Sequence, residues 1–433
     1  MSAQIQLVFA DKNGRIYPYP GLEGVGMKAG HYSRLDPRHL VPLPEHAEFF
    51  LLPDRVAVGY DAQTNEFVEL PYNPYSQTEE PCTPVAAFLP PGLTLTHSTA
   101  YAEKEGAGLL PLFAYAPCVF YKNEFYASAV PVDTDIRHDE RFMDPAAIQK
   151  NIDKCQKLFP KNRLVPHLAN CATVNACANA KNFFLGRFEA PIPVSPVCNA
   201  QCQGCISYQP PGRVPPTQKR ITFTPTPEEI AQIALYHMER EPDPLVSFGQ
   251  GCEGEPTLAG DTIEKAIRLI RRSSSKGSIN LNTNAGRPDS ITRLFDAGLN
   301  TVRVSTNAVR EPYYSLYYQP KGYSFKEVTA SVDAARRAGG FVSLNYLSMP
   351  GFTDSREEFD ALKTFIGEHG VNMIQWRNLN YDPRRYFRDL GLDGARLEML
   401  GMPEILAALK EEYPKLDMGY FNPKKTLVRE SIE

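Results

Sequence analysis

The sequence predicts an α/β fold, a partial (β/α)6 barrel with a β-rich N-terminal domain in front of it. Three observations predict this fold. Strands alternate with helices of about 10–15 residues after residue 185, helix-capping motifs mark the boundaries, and short aromatic runs fill the first 140 residues. Such alternation favours a parallel sheet with right-handed crossovers, and six units are too few to close an eight-stranded barrel.

The chain divides into four predicted regions. Residues 1–140 contain short alternating runs separated by Pro, Gly, Asn and Asp, which indicates β-strands. Residues 141–187 show helical spacing in "MDPAAIQKNIDKCQKLF" and again in "HLANCATVNACANAKNFF", which predicts a helical connector of two helices. Residues 188–388 form the predicted barrel, and residues 389–433 are expected to be a C-terminal helix and tail.

The barrel strands are predicted from apolar runs that look buried on both faces. The helices between them have readable ends, because Thr226 and Glu229 form a capping box, as do Ser324 and Glu327, and Gly339 ends the second of these helices. The six predicted strands are residues 190–196, 245–251, 279–284, 301–307, 341–348 and 372–378.

The composition and charge of the chain disfavour several classes of protein, including disordered, secreted and membrane-spanning proteins. The chain has 42% hydrophobic and 22% charged residues, so it can bury large cores, and a net charge of −4 with pI about 6.1 gives no global basic footprint for nucleic acid. The N-terminal apolar run is too short for a secretory signal, and no stretch approaches the roughly 18 apolar residues of a membrane helix. We therefore expect a cytoplasmic protein that does not interact with membranes.

Three of the nine cysteines lie in the stretch "PVSPVCNAQCQGCISYQPP", at Cys198, Cys202 and Cys205. A closed structural zinc site needs four protein ligands, whereas three thiolates can hold an iron–sulfur cluster and leave one iron open. A zinc knuckle completed by a distant cysteine or histidine is the alternative. The loop follows the first barrel strand, and ligands of parallel β/α folds bind at such strand ends.

Polar side chains also follow the next predicted strands. The second strand enters "GQGCEGEPTL", in which closely spaced glycines let the backbone approach a ligand and Glu255 offers a carboxylate. Asn282, Asn284 and Ser305 end the third and fourth strands, and such side chains suit ribose hydroxyls and amino-acid carboxylates. Capping of the following helix is the alternative role for each of them.

The spacing of the three cysteines, followed by Glu253-Gly254-Glu255-Pro256, resembles the radical SAM superfamily over about residues 188–385. Members of that family have a partial (β/α)6 barrel and a Gly-Gly-Glu motif, whose first glycine is replaced here by Glu253. The resemblance implies that Cys198, Cys202 and Cys205 ligate a [4Fe–4S] cluster. It also implies that S-adenosyl-L-methionine binds the open iron.

The resemblance further implies which residues contact S-adenosylmethionine. The family usually has an aromatic residue just before the third cysteine, where this chain has Gly204, so Ile206 or Tyr208 would pack against adenine instead. The full implied set is Tyr208, Glu253, Gly254, Glu255, Asn282, Asn284 and Ser305.

The implied activity is reductive cleavage of S-adenosylmethionine to a 5′-deoxyadenosyl radical, which abstracts hydrogen from an unidentified substrate such as a peptide or protein. Flavodoxin or ferredoxin would be the electron donor. An RNA-modifying member is an alternative that the tyrosine-rich stretch "REPYYSLYYQPKGYSF" supports and the acidic pI disfavours. A non-enzymatic iron–sulfur electron-transfer or scaffold protein is another.

The remaining cysteines form no compact ligand motif. We expect core thiols, and an auxiliary cluster held by the upstream cysteines is the alternative. Cys252, inside the glycine-rich stretch, is also expected to be a core thiol, and a place facing the active site is the alternative. Arg377 could clamp a carboxylate or phosphate, or pair structurally with a neighbour. The upstream cysteines are Cys82, Cys118, Cys155, Cys171 and Cys177.

Overall fold

The computed structural model describes residues 4–43 and 47–423. Within these residues an antiparallel N-terminal sheet is followed by three connector helices and a parallel β/α barrel. No helix in the described ranges has both the length and the apolar character of a membrane span. The fold class predicted from the sequence is confirmed.

The N-terminal sheet contains thirteen strands among the described residues, and every pairing in it is antiparallel. Apart from the second strand, which has 13 residues, its strands are short, and turns at Gly, Asn and Asp separate them as the sequence predicts. They are β1 Gln6–Ala10, β2 Ile16–Lys28, β3 His31–Arg34, β4 Leu40–Pro42, β5 Phe49–Leu51, β6 Arg55–Asp61, β7 Glu66–Leu70, β8 Thr83–Ala87, β9 Leu93–Leu95, β10 Ser98–Thr99, β11 Tyr101–Glu103, β12 Ala116–Tyr121 and β13 Glu124–Pro131.

The connector differs from the prediction in one respect. The stretch "HLANCATVNACANAKNFF" forms two short helices and not one, because Ala176 adopts a left-handed backbone with φ of 50° between them. The second of these helices ends at Gly186, which has φ of 69° and suits a left-handed C-cap. The connector helices are α1 Pro145–Leu158, α2 Leu164–Thr173 and α3 Ala178–Leu185.

The barrel sheet is parallel, and its strands follow one another in chain order. All six predicted strands are present, because buried parallel strands carry apolar residues on both faces and are easy to recognise. In chain order the elements are β14 Glu189–Ile192, α4 Pro227–Arg240, β15 Leu245–Phe248, α5 Gly260–Ser273, β16 Ser278–Thr283, α6 Pro288–Ala297, β17 Thr301–Thr306, α7 Glu311–Tyr318, α8 Phe325–Arg337, β18 Phe341–Ser348, α9 Arg356–His369 and β19 Met373–Asn378.

Both predicted capping boxes are confirmed. The Thr226 hydroxyl accepts from the Glu229 N–H while the Glu229 carboxylate accepts from the Thr226 N–H, and α4 begins there. Ser324 and Glu327 make the corresponding pair at the start of α8, and that helix ends just before Gly339. These capping residues therefore determine where α4 begins and where α8 begins and ends.

The segment after β19 adds a strand that the sequence did not indicate. Helices α10 Pro383–Asp389 and α11 Met402–Glu412 are followed by β20 Asp417–Gly419, which pairs in parallel with β19. The sequence does not predict β20, because its three residues include Asp and Gly and form no apolar run. Residues 424–433 of the predicted tail lie outside the described residues.

The N-terminal sheet contacts the barrel beside the carboxyl end of β19. Buried Asp382 accepts hydrogen bonds from Arg55 at 3.1 Å, from the Tyr101 hydroxyl at 3.0 Å and from the Leu110 N–H at 3.2 Å. Breaking a buried ion pair by removing one partner typically costs about 3–5 kcal/mol. This joint therefore holds the two sheets together, and the four domain limits given above stay predictions.

Candidate functional site

The three closely spaced cysteines lie in the long loop between β14 and α4. Cys198, Cys202 and Cys205 are free thiols, and each is partly buried. Because β14 ends at Ile192, the loop begins at the carboxyl edge of the parallel sheet. Parallel β/α folds bind their ligands at this edge.

Backbone hydrogen bonds from α7 hold the cysteine loop. The Gln201 N–H donates to the Tyr318 carbonyl and the Gln203 N–H to the Tyr317 carbonyl, each at 3.0 Å. Both acceptors lie at the end of α7, in the tyrosine-rich segment. The rings of Tyr314, Tyr317 and Tyr318 are buried, so they brace the loop and cannot offer free faces to nucleic-acid bases.

The electrostatics of the loop suit a cationic metal cluster. Burial raises the pKa of Cys198 to about 11, with a further contribution from the nearby Glu255 carboxylate. Burial and the other two thiols raise the pKa of Cys202. Arg220 acts in the opposite direction, and its Nη2 lies 3.7 Å from the Cys205 sulfur. Three thiols that repel one another as thiolates fit a site in which bound iron supplies the compensating positive charge.

The turn that carries the Glu-Gly-Glu sequence packs directly against the start of the cysteine loop. The Gly254 N–H donates to the Ser195 carbonyl at 2.7 Å, and the Glu255 N–H donates to the Val197 carbonyl at 2.9 Å. A Cβ atom at Gly254 would overlap the Val197 carbonyl oxygen. Glycine is therefore required there for the two segments to approach each other.

Glu253, which replaces the first glycine of the family motif, closes the end of β14. Its carboxylate accepts from the N–H groups of Val194 at 2.8 Å, Ser195 at 3.0 Å and Gln250 at 2.6 Å. Burial raises the pKa of Glu253 to about 7, and the three hydrogen bonds oppose that rise. The side chain thus satisfies backbone donors that the strand end would otherwise leave unpaired.

Glu255 joins the same turn to the end of β16. Its carboxylate accepts from the Thr257 hydroxyl at 2.7 Å, from the Thr283 hydroxyl and from the Asn284 N–H at 2.8 Å. Burial raises the pKa of Glu255, and these hydrogen bonds oppose the rise. The carboxylate is held by these hydrogen bonds near Cys198, and its contact with the methionyl amino group stays a prediction.

The polar residues at the strand ends are also engaged within the protein. Asn284 donates to the Asn199 side chain at 2.7 Å, which ties the end of β16 to the cysteine loop. Asn282 donates to the Gly249 carbonyl at 2.8 Å, and Ser305 accepts from the Asn345 amide at 3.3 Å. Their predicted contacts with ribose or carboxylate stay predictions.

Gly204, where the family has an aromatic residue, and Tyr208, one of the two residues expected to replace it, differ in environment. Gly204 is packed tightly, since a Cβ atom there would lie 2.8 Å from the Tyr317 hydroxyl, so a ring from α7 occupies this space. Tyr208 is 45% exposed, and the Arg220 guanidinium lies 5.5 Å from the centre of its ring. Tyr208 therefore offers a free face, and its role in packing adenine stays a prediction.

A cavity of about 320 Å³ lies between the connector helices and the inner face of the barrel. Arg303 and Arg377 both line it, with Glu189 as the acidic residue of the lining. Arg303 donates to Gln375 at 3.1 Å, but its buried Nε has no hydrogen-bond partner among the described residues. Burial, with a smaller contribution from Arg377, lowers the pKa of Arg303 to about 9. The cavity suits a ligand with an anionic group.

One group of side chains was not singled out as a site by the sequence. His167 and Cys171 of α2 lie beside Cys252, which belongs to the loop after β15. The spacing of His167 and Cys171, four residues apart on one helix face, was the available signal. Nothing in the sequence indicated that Cys252 would join them.

The chain resembles known proteins in its barrel. Residues 192–362 match the family model of the radical SAM superfamily. The FeMo cofactor biosynthesis protein NifB of Klebsiella pneumoniae is 24% identical over 217 residues, which is 44% of this chain and 43% of that protein. The chain therefore spans less than half the length of the curated relative that it matches.

Solved structures with similar folds share less sequence. Streptococcus suis SuiB bound to S-adenosylmethionine is 11% identical, with a TM-score of 0.39 over 71% of this chain and 70% of SuiB. The FeFe-hydrogenase maturase HydG of Carboxydothermus hydrogenoformans is 15% identical, with a TM-score of 0.37 over 66% and 72% of the two chains. Scores this low give no residue-by-residue correspondence. From the family match and the cysteine loop at the carboxyl edge of a parallel sheet, we conclude that residues 192–362 form a radical SAM domain, the kind of enzyme domain that uses a [4Fe–4S] cluster and S-adenosyl-L-methionine.

Proposed function

We propose that this protein reductively cleaves S-adenosylmethionine and uses the resulting radical to abstract hydrogen from a substrate with an anionic group. The observation that carries the proposal is the cysteine loop. Three free thiols lie at the carboxyl edge of the barrel, and Asn199 of their loop is tied to Asn284 at the end of β16. The cavity proposed for the substrate lies between the connector helices and the inner face of the same barrel.

The residues of the chain have separate roles in this proposal. Cys198, Cys202 and Cys205 hold the cluster, and Arg220 places a positive charge beside the Cys205 sulfur. Once bound, the cluster and S-adenosylmethionine would supply the one-electron cleavage of a carbon–sulfur bond that gives methionine and the radical for hydrogen abstraction. The tight contact at Gly254 fixes the distance between the motif turn and the loop.

The cavity supports the choice of an anionic substrate. Its volume lies at the lower end of the range of small-ligand pockets, so it suits a small molecule or one side chain of a peptide. The unpartnered Arg303 Nε gives a reason to bind an anion there, because a buried donor without an acceptor is costly. Arg377 already donates to the Tyr420 carbonyl at 2.9 Å and adds a second positive charge.

The experiment is an anaerobic assay of the reconstituted protein, with dithionite or with flavodoxin or ferredoxin as the electron donor. We expect slow formation of 5′-deoxyadenosine without substrate, measured by liquid chromatography and mass spectrometry. A protein with an intact cluster and bound S-adenosylmethionine that forms none with any donor would contradict the proposal. It would then be the iron–sulfur scaffold or electron carrier that was the alternative.

Variants of the cavity test the substrate class. We expect a filtrate of small metabolites or a peptide fraction from cell extract to accelerate 5′-deoxyadenosine formation by the unmodified protein. Arg303→Met should remove the acceleration and leave the slow basal rate, because Arg303 contacts the substrate and not the cluster. Arg272→Met, on the exposed face of α5, is the matched control. Acceleration that survives in Arg303→Met would show that the substrate binds elsewhere.

A further inference from the structure

A histidine and two cysteines converge beside the barrel cavity, away from the cysteine loop. The His167 Nε2 lies 3.4 Å from the Cys252 sulfur and 3.6 Å from the Cys171 sulfur. All three potential ligand atoms lie within 4.8 Å of one another. Cys171 and Cys252 are buried, and His167 is partly buried.

These separations match the edges of a tetrahedral zinc site. With Zn–S of about 2.3 Å and Zn–N of about 2.0–2.1 Å, tetrahedral angles place a nitrogen and a sulfur ligand about 3.6 Å apart. The two observed nitrogen–sulfur distances, 3.4 Å and 3.6 Å, are close to that value. One ion can touch all three atoms, and the space between them is too small for a cluster of several irons.

The local structure brings the ligands together without strain in the helix. His167 and Cys171 are one turn apart on α2, so their side chains emerge from the same face. The backbone next to Cys252 is fixed, because its carbonyl accepts from the Ile221 N–H at 2.8 Å. A buried pair of thiols and an imidazole is also a soft donor set, which favours zinc over the hard cations magnesium and calcium.

We infer that His167, Cys171 and Cys252 bind a single Zn²⁺ ion whose fourth position is open to the barrel cavity. Cys171 and Cys252 both line that cavity, so a water molecule or a donor atom of a ligand can reach the ion from it. Binding releases the two thiol protons to solvent and leaves the imidazole neutral, with no change in oxidation state. Three protein ligands and one open position are typical of zinc sites that take part in chemistry.

The thiol of Cys177 lies close to the three proposed ligands but is not part of the proposed site. Cys177 lines the same cavity, and its N–H donates to the Cys171 carbonyl at 2.9 Å. It is outside the group whose ligand atoms lie within 4.8 Å of one another. We therefore expect that Cys177 is not a ligand, and that Cys177→Ser retains the zinc.

Metal content of anaerobically purified full-length protein tests the site. We expect about one zinc per chain in addition to the iron, because the three ligands bind one ion. His167→Gln, Cys171→Ser and Cys252→Ser should each lose the zinc and keep the iron, whereas Cys118→Ser, a buried thiol in β12, should keep both. Zinc retained in all three ligand variants, or iron lost from them, would overturn the inference.

A measurement on the unmodified protein covers the possibility that a variant does not fold. X-ray absorption at the zinc edge should show two sulfur and one nitrogen ligand with one further light atom. Three or four sulfur ligands would place the zinc in the cysteine loop or add Cys177, and either result would overturn the inference. The result does not depend on cleavage of S-adenosylmethionine, so it stands apart from the proposed function.

Discussion

The protein has two groups of side chains with sulfur donor atoms, and they differ in how the chain assembles them. Cys198, Cys202 and Cys205 come from one loop within eight residues of sequence. The second group joins two residues of α2 to Cys252, which lies in the loop after β15. Among the described residues, only the second group has all its ligand atoms within 4.8 Å of one another.

The separation of the ligand atoms within each group indicates which metal that group suits. Thiols that lie further apart leave room for a cluster of several irons, while a compact set closes around one ion. Different elements hold the two groups in place. The backbone of α7 holds the cysteine loop, whereas one face of α2 positions His167 and Cys171. The predictions below test whether the two groups are as independent as this comparison states.

The largest expected effect is on the cysteine loop. Replacing Cys198, Cys202 and Cys205 by alanine should remove all the iron, about four atoms per chain, because the proposed function makes these three thiolates the protein's ligands for one cluster. Cleavage of S-adenosylmethionine should stop completely. Iron analysis and visible absorption measure the loss, and Cys118→Ala is the control. Zinc that disappeared together with the iron would contradict the independence of the two groups.

Added zinc should raise the free energy of unfolding only by binding to His167, Cys171 and Cys252. A ligand present at 100 times its dissociation constant stabilises the folded state by about 2.7 kcal/mol, so added zinc should raise the denaturation midpoint of chelator-treated protein. His167→Gln should not respond. An equal response in His167→Gln would show that zinc binds elsewhere, for example in the cysteine loop.

The third expected effect concerns the carboxylate beside the loop. Glu255→Ala should weaken S-adenosylmethionine binding by roughly 10- to 150-fold and leave the iron content unchanged, because a hydrogen bond to a charged group contributes about 1.5–3 kcal/mol. Equilibrium binding under anaerobic conditions measures the affinity, with Glu264→Ala as the control, because Glu264 lies on α5 and pairs with Arg268. Unchanged affinity would restrict Glu255 to its hydrogen bonds with Thr283 and Asn284.

A smaller change in packing tests how tightly the loop is held. Gly254→Ala would force a Cβ atom against the Val197 carbonyl, and overpacking of this kind costs about 1–3 kcal/mol. We expect a lower denaturation midpoint and incomplete iron loading. Gly108→Ala is the matched control, because a Cβ atom there has nothing within 4 Å. Identical behaviour of the two variants would mean that the turn and the loop can separate freely.

The smallest expected effect is on the reduction potential of the cluster. Arg220→Gln removes a positive charge 3.7 Å from the Cys205 sulfur, so the reduced cluster loses stabilisation and the potential should become more negative. A redox titration followed by electron paramagnetic resonance measures the shift. Arg213→Gln is the control, since this side chain pairs with Gln203 and not with a thiol. A positive shift would contradict the assigned role of Arg220.

Much of the barrel could be predicted from the sequence, because its elements are defined locally. The six buried strands β14 to β19 appear as apolar runs, and the capping boxes at Thr226 and Ser324 mark where helices begin. β20 could not be predicted, because three residues with Asp and Gly gain their strand conformation only by pairing with β19. The break between α2 and α3 was missed because it depends on the left-handed backbone of Ala176.

The sequence by itself determined the match of residues 192–362 to the radical SAM family and the position of the cysteine loop, because the three thiols lie close together in one continuous stretch. Only the tertiary structure decided that Cys252 lies beside His167 and Cys171, and that Arg303 and Arg377 line one cavity. These groupings depend on how distant segments pack around a shared core. The spacing of residues along the chain does not indicate such contacts. Strand pairing and helix packing bring these residues together although they are far apart in sequence.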